Sequence, residues 1–180
     1  MFLGLLNLLW YNAIYTPLKK KTALAIIPGS LVGAIPPMIG WVAAGGYVFD
    51  PGILMIAFFF FIWQIPHFWL LLLMFNKDYE RAGFPTLTKI FNHEQLSRIT
   101  FVWISATAVS GILIPLYGLT RFPFINAALI ISGIWLTFKA GKLITRSATH
   151  VEIVPAFRQI NVFALIVIIL ISLDKLLSNF

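Results

Sequence analysis

The chain has 180 residues, 60% hydrophobic and 16% aromatic with only 11% charged, and its mean hydropathy of +0.93 is far above that of a soluble domain. A water-soluble globular fold is excluded, and the chain reads as an integral membrane protein. There is no cysteine, which excludes a disulfide framework and thiol chemistry; the formal net charge of +7 is taken up below with the loops.

A hydrocarbon core of about 30 Å needs roughly 17 to 25 apolar residues per spanning helix. Uncharged runs approaching that length occur, in chain order, at 1–18, 23–47, 52–76, 99–120, 122–138 with a continuation to 143, and 159–173. The last two are short, with lysines that can snorkel to the headgroups. Runs such as IAFFFF and ALIVIILI lack the alternation of a β-barrel strand. The expected fold is therefore all-α: one membrane-embedded domain over residues 1–180, a polytopic bundle of about six transmembrane helices.

In the first run the basic triplet Lys19, Lys20 and Lys21 follows the apolar core, the reverse of the order in a cleavable signal peptide. Residue 1 is thus expected to open directly into a membrane helix. If the triplet lies inside, alternation of the loops puts Lys77, Arg81, Lys89, Arg98, Lys139, Lys142, Arg146 and Arg158 on the same side, and only Arg121 and Lys175 opposite. Both termini then fall outside, and membrane orientation with anionic headgroups accounts for the basic excess. No nucleic-acid partner is needed.

The second run carries Gly29, Gly33, Pro36, Pro37, Gly40 and Ala44 mostly on one side, a face that lets another backbone approach closely. Its adjacent prolines withhold backbone donors, and a helix break there is expected beside a protein-lined cavity. The third run contains WQIPHFW at 63–69. At about 100° per residue Gln64 and His67 lie about 60° apart, and Asp78 falls about 20° from His67 if the helix continues. Such a stripe would descend about 16 Å from the inner interface toward mid-membrane and face a cavity rather than lipid. For His67 alone, a hydrogen bond to a neighbouring helix is an equal reading. The other two histidines, His93 and His150, fall in inner loops, which leaves a bis-histidine cytochrome without its second ligand.

The longest hydrophilic stretch, 77–98, has a Gly and a Pro in NKDYERAGFPTL that allow only a short ordered loop or half-helix. Asn92 is the expected N-cap of the following helix, and 144–157 is expected to be the second inner loop. Asp78 and Glu80 sit beside Lys77, Arg81 and the lysine triplet. Carboxylates among basic groups suit a diphosphate held through Mg²⁺, because oxygen ligands match the hard cation and Lys or Arg neutralises the remaining phosphate charge. Each charge run alone is an ordinary solvated loop or orientation signal. Together at one mouth of an aromatic cavity they point to an enzyme acting on a lipid with a charged head; a non-catalytic haem- or lipid-binding carrier that uses the same cavity stays open.

YTPLKKKT (15–22), GSLVGAIPPMIGW (29–41), WQIPHFW (63–69) and KDYERAGFPTL (77–87) together resemble the protoheme IX farnesyltransferases, or haem O synthases, of the UbiA-type prenyltransferases. The resemblance covers essentially the whole chain. It implies a nine-helix inner-membrane bundle that transfers farnesyl from farnesyl diphosphate to a vinyl group of haem B, with haem A synthase or terminal-oxidase assembly proteins as partners. It also implies roles for the matching residues. Asp78 would be a Mg²⁺–diphosphate carboxylate, Lys19 and Lys20 would hold phosphate or a haem propionate, and Gln64, His67, Tyr79 and Arg81 would contact substrate. Two departures stand out. The family's first acidic motif, NxxxDxxxD, has no counterpart, so the chain is expected to begin at the family's fourth helix, as an N-terminally truncated piece or from an internal start, and an inactive fragment stays open. Asp78 is followed four residues later by Ala82, which disfavours the quinone-pathway branches that carry DxxxD.

Overall fold

The computed structural model describes residues 1–145 and 150–178; Arg146, one of the basic residues assigned above to the inner side, lies outside them. All regular structure among these residues is helical. We call the helical run 2–18 α1, Ala23–Ala43 α2, Pro51–Met74 α3, Asn76–Arg81 α4, His93–Leu116 α5, Pro123–Ala140 α6, Lys142–Thr145 α7 and His150–Leu177 α8. Five stretches are long and apolar enough to cross a bilayer: Ala23–Ala43, Pro51–Met74, His93–Leu116, Pro123–Ile144 and Ile153–Leu177. The remaining apolar run, α1, is helical but reaches only about 26 Å at about 1.5 Å per residue.

Local chemistry sets the ends and irregularities of these helices. Pro17 withholds an N–H from α1. The turn before it widens into a π-helix at Trp10–Tyr15, with the Thr16 N–H bonding the Tyr11 carbonyl five residues back. Asp50 caps α3 by accepting the Gly52 N–H at 2.7 Å, with Pro51 at the first helical position. Asn92 caps α5 as its sequence context predicts: its Oδ1 accepts the Gln95 N–H at 2.9 Å and the Gln95 Oε1 accepts the Asn92 N–H at 3.0 Å. That reciprocal pair is a capping box.

Helix α3 is the hub of the bundle, packed against α2, α5 and α8, while α6 packs on α5 and α8. In the core Phe59 of α3 and Phe163 of α8 meet edge to face, ring centroids 6.1 Å apart. Gly111 of α5 makes that approach feasible, since a Cβ there would stand 2.7 Å from the Phe163 ring.

Three expectations need correction. Helix Leu31–Ala43 runs on through Pro36 and Pro37 without a break. The prolines withhold the N–H groups that would face the Val32 and Gly33 carbonyls, yet the helical dihedrals persist. The stretch 150–157, expected as loop, is the start of α8, which carries Pro155 within it. Finally, α3 does not continue to Asp78: Phe75 leaves the helical region at φ −105°, ψ 23°, and α4 starts anew.

Asp174 was not singled out by the sequence. It is fully buried and its Oδ1 accepts the N–H groups of Arg121 and Phe122 at 2.9 and 3.1 Å, at the start of α6. A carboxylate at a helix N-terminus meets unpaired donors and the positive end of the helix dipole. Asp174→Ala is expected to lower stability in detergent by about 2 kcal/mol, the scale of hydrogen bonds to a charged group. Asp174→Asn, which keeps an acceptor oxygen, should lose less; thermal-melt midpoints of the two variants check this.

Candidate functional site

A cavity of about 500 Å³ opens between the end of α1, the start of α2, the last turns of α3, and α4 with the loop that follows it. Its wall is aromatic, from Tyr15, Phe68, Phe75, Tyr79 and Phe84, and it carries one cation and one carboxylate, Lys19 and Asp78. The lysine triplet and the DYER segment are thus brought to one end of the bundle. The local sequence explains the wall. Gly83 takes φ 76°, a left-handed geometry that glycine adopts without a side-chain clash. The chain turns there so that the Phe84 N–H reaches the Tyr79 carbonyl at 2.9 Å. AGFP thereby ends α4 and folds Phe84 and Pro85 onto the cavity.

Within the triplet only Lys19 lines the cavity, its Nζ held 5.6 Å from the centre of the Tyr15 ring. Lys20 is exposed and lies outside the lining. Asp78 and Arg81 form a loose pair at 3.9 Å with both side chains mostly solvated, which is worth little energetically and leaves the carboxylate free for a ligand. Glu80 is used differently. Its Oε1 accepts from the Asn76 amide and the Thr86 hydroxyl, each at 3.2 Å, while the Thr88 hydroxyl donates to the Asn76 Oδ1 at 2.8 Å. Of the two DYER carboxylates, one faces the cavity and the other latches the loop.

A second cavity of about 470 Å³ lies on the other side of α4, and Phe75 and Asp78 belong to both linings. Arg81 faces this second space, together with Lys77 and His93. A third, smaller space of about 50 Å³ shares Tyr15, Ile26 and Phe68 with the first and is bounded by Gln64, Gly29 and Val32 of the third and second helices.

The predicted single stripe of Gln64, His67 and Asp78 is not formed. Gln64 turns toward α2, where a Cβ on Gly33 would overlap its amide, and its buried Oε1 has no hydrogen-bond partner. His67 turns toward α8 and its Nδ1 meets the Asn161 Oδ1 at 2.8 Å. The Asn161 Nδ2 donates to the Phe157 carbonyl at 2.7 Å, so Oδ1 is left as acceptor and the His67 Nδ1 carries the proton. The rings of Trp63, Phe157 and Phe68 surround the imidazole at centroid distances of 4.9, 5.1 and 5.2 Å. A 60° offset is enough to point two side chains into different seams when a helix has neighbours on both sides, and the break at Phe75 sends Asp78 elsewhere. Close packing does explain part of the small-residue face: Gly29 lies under the Tyr15 ring and Gly33 under Gln64, while Gly40 meets nothing within 4 Å. Asn161 was missed, although an amide within the apolar run of α8 is the signal that finds such residues.

Among the described residues no cluster of three or more His, Asp or Glu side chains forms a metal cage. Asp78 alone fits Mg²⁺ as one protein ligand, because that cation commonly takes one or two carboxylates and completes its shell with substrate phosphate and water.

The profile of the UbiA prenyltransferase family matches residues 1–168. A protoheme IX farnesyltransferase of Geobacter sulfurreducens is 45% identical over 117 residues, covering 65% of this chain and 43% of the relative. One of Nitratidesulfovibrio vulgaris is 33% identical over 146 residues, 81% of this chain and 51% of the relative. One of Oleidesulfovibrio alaskensis is 31% identical over 169 residues, 94% of this chain and 57% of the relative. The chain spans about half the length of these curated relatives. No solved structure matches it. An apolar helical bundle, a charged cavity mouth at DYER and a family match over nearly the whole length lead to one conclusion: this multi-pass membrane chain belongs to the UbiA prenyltransferase family.

Proposed function

We propose that the chain serves the transfer of a farnesyl group from farnesyl diphosphate to a vinyl group of protohaem IX, giving haem O, at the cavity shared by Lys19, Asp78 and Tyr79. The observation that carries this reading is the cavity itself, which joins a cation and a carboxylate at its mouth to an aromatic wall running inward. The names of the relatives supply the two substrates.

The allylic C–O bond breaks and its electron pair leaves with the diphosphate. The vinyl π electrons form the new C–C bond, and water then adds to the resulting cation and loses a proton. Bound Mg²⁺, with Asp78 as its protein ligand, would neutralise charge on the leaving group. Lys19 neutralises further phosphate charge, held in place over the Tyr15 ring. Lys20, exposed on the same turn, adds long-range attraction for an anionic substrate. The rings of Phe68, Phe75, Tyr79 and Phe84 keep water from the allylic carbon until the acceptor has reacted. The small space between Tyr15 and Gln64 extends the apolar slot inward and receives the far end of the prenyl chain. His67 is held by Asn161 at the edge of this region, its Nε2 left as the free lone pair. The bias of basic residues favours a cavity mouth on the cytoplasmic side of the inner membrane.

Asp78→Asn is expected to lower kcat/KM for haem O formation by about 100-fold, the scale for losing one preorganised electrostatic group, and chelation of Mg²⁺ should abolish product. Chromatography of extracted haems from membranes given haem B and farnesyl diphosphate measures both. Haem O formed at the parental rate in both cases would remove the metal role, and haem bound without any product would leave a carrier. The orientation is checked by labelling, since the chain has no native cysteine. An impermeant maleimide should reach Lys20→Cys and Arg81→Cys from the cytoplasmic face and Tyr47→Cys from the opposite one.

A further inference from the structure

We propose that the second cavity is the dock for the acceptor, and that it recognises that acceptor through carboxylates. The chemical class it takes is a flat apolar molecule with acid groups along one edge, as protohaem is with its two propionates. This inference rests on the two-substrate reading above and assigns the second substrate its place.

A transfer between two bound molecules needs two compartments with a common wall where the new bond forms. The two cavities are of nearly equal size, about 500 and 470 Å³, and share Phe75 and Asp78. The first commits its cation and its slot to the prenyl diphosphate. In the second, three basic side chains, Lys77, Arg81 and His93, face a single acid, Asp78. Behind them the lining is apolar, from Leu73, Met74, Leu96 and Ile153. Such a space suits an anionic edge at the mouth and a hydrocarbon body inside.

Lys77, Arg81 and His93 are exposed at the mouth of this cavity, but the backbone that carries them is fixed. Lys77 and Arg81 are four residues apart on α4, so they project from one face of that helix, and Asp78, loosely paired with Arg81 at 3.9 Å, stands at the wall the two cavities share. The α4 segment is fixed to the following loop by the bonds of Asn76 and Glu80 to Thr86 and Thr88. His93 is the first residue of α5, and the capping box of Asn92 and Gln95 fixes where that helix begins. Arg and Lys bind carboxylates strongly when both partners are held in place, the guanidinium by two parallel N–H bonds. An anionic phospholipid headgroup shares this chemistry, and the test separates the two.

The test is an equilibrium titration of the detergent-purified protein with haem B and, separately, with its dimethyl ester, followed by Soret absorbance. The parent should prefer the diacid by about tenfold. Arg81→Gln and His93→Gln should each weaken the diacid several-fold and leave the ester unchanged, and the double variant should bind the two alike. KM for haem B should rise in these variants while KM for farnesyl diphosphate stays constant. Equal binding of acid and ester by the parent, or a parallel loss of both in the variants, overturns the proposal. So does displacement of the diacid by phosphatidylglycerol vesicles at parental strength, which would assign the cavity to lipid. Acid preference retained without any haem O formation would remove the reaction and keep the dock; normal haem O formation by the double variant at limiting haem B would do the reverse.

Discussion

The arrangement at the cavity mouth depends on one interruption, at Phe75, where α3 stops and α4 begins in a new direction. A continuous helix would have put Asp78 below His67 on one face. The interruption instead starts a short charged helix at the end of the bundle, so that Asp78 and Tyr79 line one cavity with Lys19 while Lys77 and Arg81 line the other with His93. The polar side chains keep contact with water as the backbone leaves the hydrocarbon. The latch of Glu80 on Thr86 and the positive φ of Gly83 hold α4 in that position.

Much of the architecture was legible because lipid imposes a simple rule: uncharged runs of spanning length must be helices with their backbone groups satisfied internally. The start of α5 was legible because Asn92 has its own capping chemistry. The distribution of basic residues and the order of motifs gathered Lys19 and Asp78 at one end of the bundle, and both line the same cavity there. What failed were inferences from angular position alone. Gln64 and His67 differ by one seam, and which seam each enters is decided by Gly33 on one neighbour and Asn161 on the other. Neither neighbour is visible from α3. The stretch 150–157 was misread because its polar residues and Pro155 resemble a loop, whereas it is the first part of α8.

His67 and Gln64 also show two ways of treating a polar group at depth. His67 is fully engaged at Nδ1 and packed among three rings, so its orientation is fixed before any ligand arrives. Gln64 is left with a buried oxygen unpaired beside a small space that opens toward the main cavity. An unpaired buried amide oxygen costs free energy.

At the far end of the molecule, Asp174 ties α8 to the turn between α5 and α6, and its second oxygen has no partner of its own. Pulling these elements apart would leave a buried carboxyl group and two backbone N–H groups without partners. That end is tied together by these bonds, whereas the two larger cavities lie at the rim where the lysines and α4 stand.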